Sequence, residues 1–285
     1  MIIEKILKPI WNEFVYGGHL SSLGASGILW SSAIIFDKPV SIPLLIIGYV
    51  ISQIVYGYNH FREAGKDLLT NPERVSYIEK IKKFVPFLLI FYFLLFIVLL
   101  IYLKNIKSIL VALFILIGGL LFTDIFKDFT KQIIGFKTFY GPFFWAMGVI
   151  LASSYYGIQD NLLIFFLFLF LFLRDIVNTT FFDIKDIESD KKGGLKTFAV
   201  VFGKKKILNY LHFFNAFSFF PIILGVYYNI LPSFILLLSL FYFYSFYYLN
   251  EAKKENIEKI RKLSYIMVDG EYLFWPIILF LGKLL

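Results

Sequence analysis

Long apolar runs alternate with short polar segments along almost the whole chain. A helix that crosses a membrane needs about 20 mostly apolar residues, and nine runs come close to that length. They cover residues 18–36, 39–58, 84–103, 107–125, 138–157, 160–182, 207–229, 231–249 and 264–283. Three of the links are only a few residues long, which predicts antiparallel helical hairpins. The pattern therefore predicts an all-α integral membrane protein with about nine transmembrane helices, forming a single domain over residues 1–285.

The composition agrees with a membrane protein. Of the 285 residues, 59% are hydrophobic and 21% aromatic, and the mean hydropathy is +0.76, which is more apolar than a soluble domain of this length can bury. The chain has no cysteine, which excludes disulfides, thiolate metal sites and a cysteine nucleophile. The start of the chain is short, mixed in charge and interrupted by Pro9, so we expect no cleavable signal peptide.

Basic residues are distributed unevenly between the predicted loops. If the N-terminus and every second loop lie on one side, that side holds 24 of the 28 Lys and Arg residues. By the positive-inside rule this side faces the cytoplasm, in a multi-pass protein of the cell membrane. The net charge of +8 is then explained by topology, and no nucleic-acid partner is expected.

A polar segment at the end of the second run carries Asn59, Glu63 and Asp67, spaced four residues apart. On a helix these side chains fall within an arc of about 80° and extend about 12 Å along one face. They form either one wall of a site or an ordinary solvated helix end.

A second acidic segment follows the sixth run and contains Asp183, Asp186 and Asp190. On one helix these three residues share an arc of about 100°. Three carboxylates on one face repel each other, which favours a functional role, although an interfacial loop is the alternative.

Two oxygen-rich segments on one membrane face suit hard cations such as Mg²⁺. Mg²⁺ usually takes only one or two carboxylates together with substrate phosphates. We therefore interpret the two segments as acid clusters whose metal ions bridge to a diphosphate, with nearby lysines neutralising the remaining charge.

These residues resemble the motifs of the UbiA superfamily of intramembrane prenyltransferases, and the resemblance extends over essentially the whole chain. The first family motif is Asn-Asp-x-x-Asp-x-x-x-Asp. Asn59, Glu63 and Asp67 match its first, third and fourth fixed positions, with Glu63 in place of an aspartate. His60 stands where the family has its first aspartate.

The second family motif is Asp-x-x-x-Asp followed by Gly and Thr. Asp186, Asp190, Gly194 and Thr197 match it with the spacing intact. The preceding Asp183 resembles a variant found in archaeal lipid-forming members.

A third family element, Lys-Arg-x-Thr, follows the fourth run. Here it begins at Lys127, and Asp128 replaces the arginine. The diphosphate-binding cations are therefore expected to be Lys127 together with Lys131 or Lys137.

The resemblance implies a helical bundle around a central cavity, with the two acidic helix-loop segments on the cytoplasmic face. It also implies Mg²⁺-dependent transfer of a polyprenyl group from a prenyl diphosphate to a hydrophobic or aromatic acceptor, with release of pyrophosphate. The expected catalytic residues are Asp67, Asp186 and Asp190. The expected metal ligands are Asn59, Glu63, Asp67, Asp183, Asp186 and Asp190.

The acceptor is less well defined by the sequence. The first predicted span contains several polar residues, of which His19 is the candidate for acceptor binding, while Ser21 and Ser22 favour close helix packing. We expect an aromatic acceptor of the 4-hydroxybenzoate or quinone-precursor type, with a lipid alcohol such as geranylgeranylglyceryl phosphate as the rival. A cation-coupled transporter is the alternative of another class, but its ionisable groups would be expected near the middle of the spans.

Overall fold

Helices make up almost all of the described chain. The structure is a computed structural model that describes residues 2–63, 67–254 and 256–285, apart from the side chains of residues 2–7 and 67. No strand occurs within these ranges. The α-helices are α1 (Ile2–Tyr16), α2 (His19–Ile35), α3 (Ile42–Glu63), α4 (Pro72–Ile81), α5 (Val85–Leu99), α6 (Ile106–Asp124), α7 (Phe136–Tyr156), α8 (Asn161–Lys185), α9 (Ile187–Lys192), α10 (Phe198–Phe202), α11 (Lys204–Phe217), α12 (Phe220–Tyr227), α13 (Phe241–Ala252), α14 (Ile257–Leu263) and α15 (Asp269–Leu284). Short 3₁₀ segments lie at Asp67–Leu69, Leu100–Tyr102, Phe126–Lys131 and Ser233–Leu240, and one π-helical turn lies at Ser264–Val268.

Seven helical segments of the described chain are long and apolar enough to cross a membrane. They are Ile42–Glu63, Val85–Tyr102, Ile106–Asp124, Asn161–Lys185, Lys204–Tyr227, Ser233–Ala252 and Ile257–Leu284. Helices also occupy the other two predicted runs, as α2 and α7, but these are not among the seven. The all-α membrane fold is confirmed, and the exact number of nine spans stays a prediction.

Residues at the helix ends explain several boundaries. The Asp160 side chain accepts a hydrogen bond from the backbone N–H of Leu163 and so caps the start of α8. Asn105 caps α6 in the same way through Ser108. Gly157 ends α7 with a φ of 68°, a left-handed conformation that glycine adopts at little cost.

Two predicted runs are less regular than their hydrophobicity suggests. The run 207–229 is divided into α11 and α12, with Pro221 near the start of the second helix. The run 231–249 begins as the 3₁₀ segment Ser233–Leu240, directly after Pro232. Proline has no N–H group to donate to the preceding turn and therefore interrupts a helix. The hydrophobicity of the two runs did not indicate these interruptions.

The loops separate into two groups at opposite ends of the bundle. At one end, Lys196 donates its backbone N–H to the carbonyl of Thr130 at 2.8 Å, and Arg261 pairs with Glu73. At the other end, Tyr156 donates to the carbonyl of Pro39 at 2.9 Å. The first group contains the lysine-rich loops, and we call it the polar end of the bundle. The grouping agrees with the one obtained from the charges.

One basic residue was assigned to the wrong environment. Arg174 was counted with the lysine-rich loops, but it lies inside α8 with no exposed surface and binds Glu271 of α15 at 2.6 and 2.8 Å. Its guanidinium also donates to Asn215 at 2.6 Å. The arginine is therefore part of a buried polar network between helices and contributes nothing to the charge of a loop.

Helices α2 and α15 approach each other closely through glycine. A Cβ atom on Gly27 would lie only 2.2 Å from the backbone carbonyl oxygen of Tyr272, so no larger residue fits without moving a helix. Small residues permit such close packing between membrane helices. This contact fixes the start of α15, with Asp269 and Tyr272, beside α2.

Candidate active site

A polar cavity of about 270 Å³ lies at the polar end of the bundle. Its wall is assembled from α1, α2, α3, α4, α6, the Phe126–Lys131 segment, α7, α8, α9, the π-helical turn and the start of α15. Eight of the lining side chains are those of Asp, Glu, Lys or Arg. They are Glu63, Arg74, Lys127, Lys137, Lys185, Asp186, Asp190 and Asp269.

The first predicted wall is present at the end of α3. Asn59, His60 and Glu63 all line the cavity, and Glu63 lies about one helical turn after Asn59 and His60. The Oδ1 atom of Asn59 is buried and accepts no hydrogen bond from the described residues. Glu63 is bound by the ammonium group of Lys127. The side chain of Asp67, the last member of this wall, lies outside the described residues.

His60 stands at the position where the family motif has an aspartate. The Nη1 of Arg74 donates to its Nε2 at 3.2 Å. The substitution thus exchanges a carboxylate for a neutral acceptor that binds an arginine of α4.

The second predicted wall contains Asp186 and Asp190, which both line the cavity. Asp186 accepts a hydrogen bond from Nδ2 of Asn71 at 2.9 Å and pairs with Lys185 at 2.7 Å. In contrast, the Oδ2 atom of Asp190 is buried and unpartnered among the described residues. The two carboxylates of one motif therefore differ in their availability to a ligand.

Asp183 does not share this wall. Helix α8 ends at Lys185 and α9 begins at Ile187, so the three aspartates do not lie on one continuous helix. Asp183 is completely buried and pairs with Lys137 of α7 at 2.7 Å. The expectation of a common arc was wrong because the helix is interrupted at Asp186. A direct role of Asp183 in binding metal has no support from its position.

The two wall carboxylates also differ in their pKa values. Burial alone raises the pKa of Asp186, but the positive charges of Lys185 and Lys137 outweigh that effect and hold it well below its ordinary value. Burial raises the pKa of Asp190 to about 6, and the nearby charge of Lys137 opposes this only in part. Asp186 is therefore ionised at neutral pH, whereas the carboxyl group of Asp190 titrates just below neutral pH.

Of the three predicted diphosphate-binding lysines, the cavity includes two. Lys127 and Lys137 line it. Lys131 is exposed and pairs with Asp128 at 2.7 Å, outside the cavity wall. The Phe126–Lys131 segment turns tightly, so residues four apart in it face different directions.

Two cations of the cavity were not predicted as site residues, namely Arg74 and Lys185. In the sequence, both residues served only as evidence for topology. Lys185 lies between two motif aspartates, and this proximity was the signal that could have identified it. Arg74 lies 15 residues after Asn59 in the sequence, and no spacing indicated that α4 turns back over the cavity.

His19 does not belong to the cavity wall. Its ring is hydrogen-bonded to Tyr49, to Gln53 at 3.1 Å and to Glu13 at 3.2 Å. Ser21, two residues further along α2, lines the cavity instead. Helix packing was the favoured role for Ser21, and its position on the cavity wall was not predicted.

An apolar cavity of about 100 Å³ adjoins the polar one. The two share the wall residues Val55, Tyr56, Gly119, Phe144 and Trp145. A ligand with a charged head and an apolar tail suits this pair of adjoining cavities.

The described residues contain no preformed group of three metal-binding side chains. The cavity nevertheless offers two buried, unpartnered oxygen atoms, Asn59 Oδ1 and Asp190 Oδ2. Oxygen donors suit Mg²⁺, which usually keeps several waters and takes only one or two protein carboxylates. The donor set therefore fits Mg²⁺ bound jointly with substrate phosphates.

These features define a multi-pass membrane protein with a charged cavity at one end of its helical bundle. The chain belongs to the UbiA prenyltransferase family, since the family model matches residues 20–267. Transfer of a prenyl group within the membrane is the reaction of this family. No curated protein sequence matches the chain significantly.

Solved structures with the same fold cover almost the whole chain. The apo structure of a UbiA homologue from Aeropyrum pernix K1 has a TM-score of 0.68 at 14% identity, over 92% of this chain and 96% of that one. A UbiA homologue from Archaeoglobus fulgidus bound to GPP and Mg²⁺ has a TM-score of 0.65 at 15% identity, over 94% and 99%. A digeranylgeranylglyceryl phosphate synthase has a TM-score of 0.60 at 17% identity, over 98% and 100%.

Proposed function

We propose that this protein uses Mg²⁺ to transfer a polyprenyl group from a prenyl diphosphate to an aromatic acceptor, releasing pyrophosphate. The observation that carries the proposal is the pair of adjoining cavities that share wall residues, one lined by acids and bases and the other apolar. The binding of GPP and Mg²⁺ by the Archaeoglobus fulgidus homologue supports the choice of donor and metal.

The residues proposed to hold Mg²⁺ are the cavity oxygens of both walls. They are Asn59, Glu63, Asp67, Asp186 and Asp190. Bound Mg²⁺ supplies positive charge to the diphosphate as its bond to the prenyl carbon breaks. Asp183 acts indirectly in this proposal, because its ion pair positions Lys137.

The basic side chains stabilise the leaving group. As the allylic C–O bond breaks, negative charge increases on the diphosphate, and Lys127 and Lys137 lie on the wall where that charge develops. Lys185 also lines the cavity and adds a further positive charge. Interactions that strengthen in the transition state raise the rate of ionisation.

The apolar cavity receives the first part of the prenyl tail. Its wall contains aromatic rings of Tyr56, Phe144 and Trp145, which also line the polar cavity. Burial of each CH₂ group contributes about 0.8 kcal/mol relative to water, but much less relative to lipid. Tail burial therefore orients the donor more than it selects its length.

The acceptor is proposed to be of the 4-hydroxybenzoate type, with its carboxylate towards Arg74. A guanidinium group binds a carboxylate or a phosphate through two hydrogen bonds. The same arginine suits a lipid alcohol such as geranylgeranylglyceryl phosphate, and the fold similarity to a digeranylgeranylglyceryl phosphate synthase supports this second candidate. His19 is no longer proposed to contact the acceptor, because it lies outside the cavity wall.

The proposed orientation places the polar end and the N-terminus in the cytoplasm. It rests on the lysine-rich loops that meet at the polar end. Both the diphosphate and Mg²⁺ would then enter from the cytoplasmic side.

Purified protein in detergent or liposomes tests the function. Geranylgeranyl diphosphate is supplied with 4-hydroxybenzoate or with geranylgeranylglyceryl phosphate, and products are identified by mass spectrometry. We expect one prenylated product that disappears with EDTA and returns with Mg²⁺. Product from the lipid alcohol alone would refute the aromatic acceptor. Absence of any metal-dependent product with donors of several chain lengths would refute the enzyme and leave a transporter as the alternative.

A further inference from the structure

A small chamber of about 40 Å³ adjoins the polar cavity. Both are lined by Ser21, Tyr56, Trp145, Thr179, Phe182 and Asp269. A space of this size holds a water molecule or a hydroxyl group, for which 10–15 Å³ is about the minimum. We call it the side chamber.

Two carboxylates face the side chamber, and the proposed function uses neither. Asp175 of α8 is buried and accepts hydrogen bonds from Tyr272 at 2.7 Å and from Thr179 at 3.2 Å. Asp269, at the start of α15, lines both the side chamber and the polar cavity and interacts with the hydroxyl of Ser21. Asp175 is therefore held in place, and Asp269 lies where a bound acceptor can reach it.

Arg174, the basic residue next to Asp175 in the sequence, binds other side chains. Arg174 donates to both carboxylate oxygens of Glu271 and to Asn215. The charged groups that act on Asp269 from other elements are Lys185 and Arg74, which also line the polar cavity, and Asp175. Asp175 and Asp269 are thus the charged side chains at the side chamber, and no Lys or Arg is among the described residues that line it.

The backbone next to Asp269 is unusual. The π-helical turn Ser264–Val268 directly precedes it, in a helix that otherwise continues as α14 and α15. Such turns are rare and often occur at functional sites. The close approach of Gly27 to Tyr272 then holds the first turn of α15 against α2. The π-helical turn and the contact between α2 and α15 therefore both fix the position of Asp269.

We propose that the side chamber binds the hydroxyl group of the acceptor and that Asp269 removes its proton. This inference rests on the proposed function. A hydroxyl group donates to carboxylates, whereas a carboxylate or phosphate is repelled by them. The acceptor is therefore bound with its hydroxyl in the side chamber and its anionic group towards Arg74.

The proposed reaction releases one proton from the acceptor. The allylic C–O bond breaks and its electron pair leaves with the diphosphate. The acceptor forms the new bond to the prenyl carbon, and one proton passes to the carboxylate of Asp269 and then to water. In a lipid alcohol the hydroxyl oxygen forms the bond. In a phenol, loss of the hydroxyl proton activates a ring carbon, whose hydrogen later returns to oxygen.

The test separates donor binding from transfer. Asp269→Asn keeps the shape of the side chain and removes the base. With the acceptor that wild type uses, 4-hydroxybenzoate or geranylgeranylglyceryl phosphate, we expect transfer to fall about 100-fold or more. Mg²⁺-dependent binding of geranylgeranyl diphosphate should stay within about twofold of wild type, and Asp269→Glu should recover part of the rate.

Asp128→Asn is the matched control, because Asp128 is an exposed carboxylate outside the cavity wall. Its transfer rate should equal that of wild type. Transfer by Asp269→Asn within threefold of wild type would overturn the inference while leaving the proposed function intact. Loss of donor binding in Asp269→Asn would also overturn it, since Asp269 would then serve the diphosphate. If wild type transfers to neither acceptor, the proposed function itself fails.

Discussion

At the scale of single residues, the aspartates of the second acidic segment differ in what they bind. Asp183 forms a buried ion pair with Lys137 and does not line the cavity, whereas Asp190 lines the cavity with one oxygen that accepts no hydrogen bond from the described residues. Removing one partner of a buried ion pair costs about 3 kcal/mol, because the other charge is left without compensation. We therefore expect Asp183→Ala to lower the thermal stability in detergent markedly. Asp190→Ala should leave stability nearly unchanged and abolish Mg²⁺-dependent turnover.

A double variant separates the structural effect from the catalytic one. Asp183→Leu with Lys137→Met replaces the ion pair by apolar side chains of similar size, which is often neutral for stability. We expect it to unfold near the wild-type temperature, yet to react slowly because a cavity cation is lost. A double variant as unstable as Asp183→Ala would contradict the role assigned to this pair.

The raised pKa of Asp190 predicts a pH dependence of metal binding. Its carboxyl is protonated below about pH 6, and a protonated carboxyl does not bind Mg²⁺. Lowering the pH from 7.5 to 5 should therefore weaken Mg²⁺-dependent binding of geranylgeranyl diphosphate about tenfold. In Asp190→Asn, binding should be weak throughout and nearly flat over the same range. An equally steep pH profile in that variant would assign the titration to another group.

At the scale of helices, the contact between α2 and α15 fixes the start of α15 beside the site. A Cβ atom on Gly27 would overlap the backbone of Tyr272, whereas one on Gly270 would meet Leu20 only at 3.8 Å. Gly27→Ala should destabilise the protein by about 1–3 kcal/mol and reduce prenyl transfer, because α15 must move away from α2. Gly270→Ala lies at the same interface and should be neutral or slightly stabilising. The thermal unfolding and the prenyl transfer of the two variants are compared. Equal stability and equal transfer rates would refute the role assigned to Gly27.

The helices were the part of this structure that the sequence predicted best. Their positions follow from hydrophobic runs, which a membrane protein can form only as helices or closed barrels. The interruption at Asp186 was not predicted, because nothing in the spacing of Asp183, Asp186 and Asp190 indicates that α8 ends between them. The chamber next to Asp269 was missed for a related reason, since it depends on contacts between α2, α8 and α15, which are far apart in the sequence.

At the scale of the whole molecule, the cavity depends on the grouping of distant loops. The same lysines that indicated topology also supply the positive charge of the site, as Lys137 and Lys185 demonstrate. Charge counting could predict on which side these residues lie, but only the fold determines which of them face a common cavity. Lys131 and Lys137 have the same charge and similar positions in the sequence, but of the two only Lys137 lines the cavity.

The absence of cysteine from the chain makes its orientation directly measurable. Lys253→Cys places one thiol on an exposed position at the polar end, and Lys38→Cys places one at the opposite end. If the polar end faces the cytoplasm, a membrane-impermeant maleimide added to intact cells should label Lys38→Cys and not Lys253→Cys. After lysis it should label both, whereas the cysteine-free parent provides the background. Labelling of Lys253→Cys alone in intact cells would reverse the orientation, and with it the side from which diphosphate and Mg²⁺ enter the cavity.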